Sequence, residues 1–257
     1  MVTIDLKGKT ALVTGGGRGL GREISLALAE AGANVAVNYL RHHDAAAETA
    51  EEARQAGVHA VAVQGDVSHG GDVERLLGEV EERFGGVHVL VANAALGVLR
   101  DLPDLDRRGV VRTFEICAWP LLDISRRLFP GFARARFGRI VAISSPGSRR
   151  VAPGYAAMGM AKAALEALTR YLAEHAGREL ENVTANAVVP SGFHGGEVAD
   201  LPFEPLERHM REEEPRTPGG RTPTMREVAG VVLFLASDLS AAVNGQAIAV
   251  DRGWSVR

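Results

Sequence analysis

Cysteine is nearly absent from this 257-residue chain, with Cys117 the single example. One thiol excludes an internal disulfide and any thiolate metal cluster, and fits a reducing compartment. Surplus positive charge is missing too. The 29 basic and 32 acidic side chains leave a net charge near −3, which removes the electrostatic case for nucleic acid. Long apolar runs are absent. Val231–Ala236 is the longest, far short of the roughly 20 residues a membrane span needs. Near the N-terminus the run Ala11–Val13 is too short for a signal peptide's apolar region. The expectation is a soluble, cytoplasmic protein. No repeat, low-complexity tract or Gly/Ser linker divides the sequence, so a single domain over 1–257 is expected.

What is present is alternation. Thr10–Thr14, Asn34–Tyr39, Val58–Val63, Val87–Val91, Arg139–Ser144, Val183–Val188 and Gln246–Val250 read as buried strands, being near-continuous apolar stretches. Helical stripes lie between them: Ile24, Ala27, Leu28 and Ala31, then Met158, Ala161, Leu165, Leu168 and Leu172. This order predicts an α/β fold, a doubly wound, seven-stranded parallel sheet of the Rossmann type. From about 191 to 224 the rhythm stops in a segment rich in proline, glycine and charge. Placed after a strand's carboxyl end, it reads as a substrate lid, with a disordered surface insertion as the alternative.

Chemistry first shows at Thr14-Gly15-Gly16-Gly17-Arg18-Gly19-Leu20-Gly21, between the first strand and the first helix. Glycines let the backbone turn tightly and approach a phosphate, which the helix N-terminus then faces with unpaired N–H groups. The second strand ends in Asn38-Tyr39-Leu40-Arg41, without an acid to receive a ribose 2′-hydroxyl. Arg18 and Arg41 suit a 2′-phosphate instead, so NADPH is expected over NADH, unless both arginines are merely solvated. Tyr155 and Lys162 are seven residues apart on a predicted helix. Seven steps return to one face about 10 Å along the axis, against about 6 Å for four. The alternative is a tyrosine packed at a helix start and a solvated lysine.

At this point the chain resembles the short-chain dehydrogenase/reductase family. The resemblance is carried by Thr14-Gly15-x3-Gly19-x-Gly21, Asp66-Val67, Asn93-Ala94-Ala95 and a Ser–Tyr–Lys set. Most members place tyrosine four residues before lysine, where this chain has Met158. Tyr155-x6-Lys162 is instead similar to the enoyl-acyl-carrier-protein reductases, closest to the NADPH-dependent FabL type. The stretches 93–100, 143–148 and 162–173 read like that type. The resemblance implies that Tyr155, Lys162 and Ser145 are catalytic. Tyr155 would hold the substrate carbonyl oxygen, while Lys162 would hold the nicotinamide ribose and lower the tyrosine pKa. Gly15, Arg18, Gly19, Leu20, Gly21, Arg41, Asp66, Val67, Asn93, Ala94, Pro190 and Phe193 would join Tyr155 and Lys162 in binding NADPH. Asp66 and Val67 would flank adenine, and Asn93 and Ala94 the ribose. It also implies a homotetramer and an acyl thioester substrate, on a carrier protein or CoA.

Several positions depart from the family pattern. Cys117 stands at a usual asparagine, Gly195 at a usual threonine and Ser191 at a common glycine, and Arg252 interrupts Asp-Gly-Gly. Pro120 is expected to kink the helix carrying Cys117, because it has no N–H. These departures fit a specialised reductase, of a fatty-acid or polyketide pathway, or a weakened catalyst. A carbonyl or imine reductase, and a non-catalytic NADPH-binding sensor or scaffold, stay open. His42-His43 lacks the partners of a metal site, so no metal is expected. His194, Glu212–Glu214 and Arg149-Arg150 read as solvated, with a carrier's acidic groups the alternative for the arginine pair.

Overall fold

The computed structural model describes residues 3–193 and 203–256. Seven parallel strands form one sheet in the order β3-β2-β1-β4-β5-β6-β7. They are β1 (Thr10–Val13), β2 (Asn34–Tyr39), β3 (Ala60–Gln64), β4 (Val89–Ala92), β5 (Gly138–Ile143), β6 (Val183–Pro190) and β7 (Ala247–Val250). All seven expected strands are present. The third begins two residues later than its apolar run, because Val58 lies in the approach to the strand.

Both faces of the sheet are buried, which explains the continuous apolar runs. Successive side chains point to opposite faces. Ala11, Val13, Val35, Val37, Val89 and Val91 therefore enter one core with α1 (Gly19–Glu30), α2 (His43–Gln55) and α8 (Met225–Ala236). Leu12, Ala36, Leu90, Ile140 and Ala142 enter the other with α3 (Gly70–Phe84), α5 (Trp119–Ala135) and α6 (Ala156–Glu179). The sheet's order reverses between β1 and β4, so their carboxyl ends open the crevice where such folds bind ligands.

Proline acts at Pro120 as its chemistry requires. The helix divides at Ala118 into α4 (Arg107–Cys117) and α5, with Pro120 in the first turn of α5, where a missing N–H costs nothing. The stretch 191–224 is less irregular than its composition suggested, since its described part contains α7 (Glu204–Glu213) and a 3-10 turn over Glu214–Arg216. His194 and Gly195 lie outside the described residues. No described helix is long and apolar enough to cross a membrane.

The opposite, amino end of the sheet is fixed by Arg139, whose side chain is 0% exposed. It donates to the carbonyls of Gly138, Asn182 and Ser237, at 2.9, 2.7 and 3.2 Å. It also reaches Asn182 Oδ1 and Asp238 Oδ1, both at 2.9 Å. Burial pushes its pKa down and Asp238 opposes that shift. A buried guanidinium is tolerated only with such complete pairing.

Candidate active site

The glycine turn is folded tightly onto its neighbours. Gly15 and Gly19 have φ of 62° and 52°, a region glycine enters without strain. A Cβ on Gly17 would stand 2.8 Å from Ala46 Cα, and one on Gly21 would run into the Gly15 carbonyl oxygen. The turn is laced to the adjacent strand ends. Thr14 Oγ1 accepts from the N–H groups of Asn93 and Ala94 at 2.9 and 3.0 Å. Asn93 Nδ2 donates to the carbonyls of Thr14 and Gly15 at 3.0 and 3.1 Å. Gly16 N–H donates to the Asn38 carbonyl at 2.9 Å. Arg18 stands at the N-cap of α1, its side chain makes no capping hydrogen bond to the helix, and no acidic residue stands in that first turn. The residues present therefore fit a dinucleotide's phosphates: close backbone approach and a helix N-terminus free of a competing carboxylate.

Arg18 and Arg41 are both exposed, Arg18 on this turn and Arg41 just beyond β2. Next to Arg41, Tyr39 Oη and His43 Nδ1 are 2.7 Å apart. Asp66 and Val67 follow β3. Burial works to raise the Asp66 pKa, but the Ser68 side chain and main chain, with His69 and Arg112 alongside, hold it below the usual carboxylate range.

Leu20, Asn93, Ser145, Tyr155, Lys162, Pro190 and Phe193 line one cavity of about 490 Å3, within the usual size of a ligand site. The glycines, Arg18, Arg41, Asp66, Val67 and Ala94 stand outside its walls, along the carboxyl ends of β1 to β4. Leu206, Met210 and Trp254, none of which the sequence singled out, complete the apolar lining.

Tyr155 is the N-cap of α6, one residue before the helix proper. Burial pushes its phenol pKa up, and the Ser145 hydroxyl opposes that rise. Lys162 is buried, and its Nζ donates to the Ile143 carbonyl at 2.7 Å. Burial pushes the ammonium pKa down. The lysine charge is not among the influences on the tyrosine pKa, which burial raises. Desolvation dominates both groups, and the ammonium is turned to the end of β5.

Met158 occupies the position four residues before the lysine and is buried against Cys117, the two sulfurs 3.9 Å apart. The Cys117 thiol also donates to the Leu96 carbonyl at 3.5 Å. Cys117, Met158 and Ala161 form a small apolar cluster with Tyr155 packed against it. A thioether and a weak thiol here replace an amide that both donates and accepts.

Two other expectations change. Glu213 and Glu214 are not simply solvated: Trp254 Nε1 donates to Glu213 at 3.0 Å, and Thr222 Oγ1 to Glu214 at 3.0 Å. Arg149 pairs with the buried Glu166 at 2.9 Å, while Arg150 donates to the Ser255 carbonyl at 2.8 Å and stacks on the Trp254 ring. Tertiary partners engage both arginines, although the Arg149 side chain stays exposed. Arg252 adopts φ of 53°, which explains why glycine is usual there, and its guanidinium meets Glu227 at 3.0 Å.

A parallel sheet with a glycine phosphate turn, and a Ser–Tyr–Lys group at its carboxyl edge, defines a dinucleotide-dependent oxidoreductase. A family model described as enoyl-(acyl carrier protein) reductase matches residues 15–255. Over 250 residues the chain is 34% identical to 1-cyclohexenylcarbonyl-CoA reductase of Streptomyces collinus, covering 96% of this chain and 87% of that one. It is 35% identical over 249 residues to the 3-oxoacyl-acyl-carrier-protein reductase FabG of Staphylococcus epidermidis, covering 95% and 98%. A solved structure from Sinorhizobium meliloti 1021, provisionally assigned as a short-chain alcohol dehydrogenase, superposes with a TM-score of 0.91 at 30% identity, over 99% of both chains. The chain belongs to the short-chain dehydrogenase/reductase family, whose members use a nicotinamide dinucleotide.

Proposed function

We propose that this protein is an NADPH-dependent reductase of the C=C bond of an enoyl thioester, carried on CoA or an acyl carrier protein. One observation carries the reading. The position four residues before Lys162 holds Met158, which has no proton to give, while Tyr155 three residues earlier faces the cavity beside Ser145. In ketone reduction the hydride-accepting carbon itself bears the oxygen. An enoyl thioester accepts hydride two carbons further along, so negative charge develops on a remote oxygen. The donor belongs where that charge develops. A tyrosine two turns from the lysine, rather than one, suits the longer separation.

The cofactor would supply the hydride. Arg18 and Arg41 would pair with its 2′-phosphate, Asp66 and Val67 would flank adenine, and Asn93, Ala94 and Lys162 would hold the riboses. Tyr155 would donate to the thioester oxygen, with Ser145 orienting the phenol. The segment at about 191–224, which contributes Leu206, Met210 and Thr222 to the cavity wall, is read as the substrate lid. Phe114, Trp119, Met160 and Tyr171, on α4 to α6, are exposed at 42, 43, 51 and 75%, and support burial between subunits of a homotetramer. The similarity to FabG favours a second reading, a ketoreductase with displaced tyrosine.

NADPH oxidation is the test, with crotonyl-CoA, acetoacetyl-CoA and a cyclic ketone as substrates. Turnover of crotonyl-CoA is expected. Reduction of the ketones alone makes the protein a carbonyl reductase, and NADPH binding without turnover of any makes it a sensor or scaffold.

A further inference from the structure

Glu166 follows Lys162 by one helical turn and is a buried carboxylate with no part in the chemistry above. Its Oε1 accepts from Ser144 Oγ at 2.7 Å and Ser148 Oγ at 2.5 Å. Its Oε2 accepts from Arg149 Nε at 3.1 Å and Nη2 at 2.9 Å. All three partners belong to the loop from β5 to α6, and that loop carries Ser145. A carboxylate this deep persists only where donors surround it, so helix and loop fix each other's place.

Two more contacts repeat the attachment along one helix face. Lys162 Nζ holds the Ile143 carbonyl. A Cβ on Gly159 would stand 2.5 Å from the Gly147 carbonyl oxygen, and one on Gly147 would enter the Tyr155 ring. Within the loop, Gly147 N–H donates to Ser145 Oγ at 3.3 Å. Gly159 and Glu166 thus hold the loop, and Lys162 the strand end that leads into it, at three successive levels beyond Tyr155.

We propose that Glu166 is a positioning residue: by holding Ser144, Ser148 and Arg149, its carboxylate sets where Ser145 Oγ stands against the Tyr155 phenol. The inference rests on reading Ser145 and Tyr155 as the proton-donating pair. Catalytic geometry on a loop is only as good as the contacts behind it, and a displacement of about 1 Å costs roughly a hundredfold in rate. Leucine fills a similar volume but accepts no hydrogen bond, and the released Arg149 side chain is exposed to water. Glu166→Leu therefore separates packing from positioning, and Glu166→Gln keeps an acceptor for the two serine hydroxyls.

With crotonyl-CoA and NADPH, Glu166→Leu is expected to lower kcat about a hundredfold, leaving NADPH affinity and thioester KM within about twofold. Glu166→Gln recovers about tenfold of that loss, and a crystal structure of Glu166→Leu shows Ser145 Oγ displaced by about 1 Å. Wild-type turnover in Glu166→Leu overturns the proposal, as does reduced turnover with Ser145 unmoved. If Glu166→Leu fails to fold, the double variant Ser148→Ala, Arg149→Ala carries the same expectations. If the wild-type protein reduces no thioester, the enoyl reading falls by itself, and the position of Ser145 in the Glu166→Leu crystal decides the inference.

Discussion

Lys162 Nζ donates to the Ile143 main-chain carbonyl at 2.7 Å, which ties the second turn of α6 to the last residue of β5. Among the described residues the ammonium makes this one hydrogen bond, and ribose hydroxyls are the proposed acceptors for its two further donors. Lys162→Met is expected to weaken NADPH binding about tenfold, the loss of one or two charge-assisted bonds. NADPH fluorescence titration measures it. Unchanged affinity would mean that the lysine serves only the fold.

On the proposed reading, Arg18 and Arg41 make the cofactor choice a matter of charge. Replacing both with alanine is expected to lower NADPH affinity by about tenfold or more per guanidinium, since a bond to a charged group contributes about 1.5–3 kcal/mol. NADH affinity should change by less than about twofold. Equal losses for the two cofactors would show that the arginines do not read the 2′-phosphate.

Trp254 joins three parts of the cavity wall: its indole N–H donates to Glu213 on α7, and its ring lies 4.7 Å from the Arg150 guanidinium. Trp254→Ala is expected to open that wall and move preference from crotonyl-CoA towards longer enoyl chains. Each added methylene changes kcat/KM by about tenfold or more where a pocket senses it. A chain-length series measures this, and an unchanged preference would place the acyl chain elsewhere.

Glu227 gives the sign of one pH effect. Hydrogen bonds from Arg221, then the Thr224 N–H, bring its pKa from the ordinary 4.5 to about 2. A depressed carboxylate contributes stability that is present above its unfolded pKa and lost as pH falls towards the folded one. Thermal midpoints should therefore fall between about pH 4.5 and 2 more steeply in the wild-type protein than in Glu227→Gln. Parallel curves would show that the pairing contributes nothing.

Much of this was legible before any coordinates. The strands announced themselves because burial on both faces leaves no polar alternation, and Pro120 marked the break between α4 and α5. Tyr155 and Lys162 drew attention through their spacing and Ser145 through the family resemblance, and Tyr155 caps its helix instead of lying within it. Glu166, Trp254 and Arg139 were not. A buried charge looks like a surface charge until its partners are known, and the partners of Arg139 reach as far as Asp238. Helix α7 hid in a segment whose prolines and glycines masked ten helical residues.

Arg139 lies at the far end of the sheet from the cavity, where it joins the starts of β5 and β6 to the turn after α8. Cohesion and chemistry thus occupy separate poles of the molecule. Side chains lining the cavity, Met158, Leu206 and Trp254 among them, can vary without loosening the frame. A scaffold clamped in this way can acquire a new substrate by changing its rim alone.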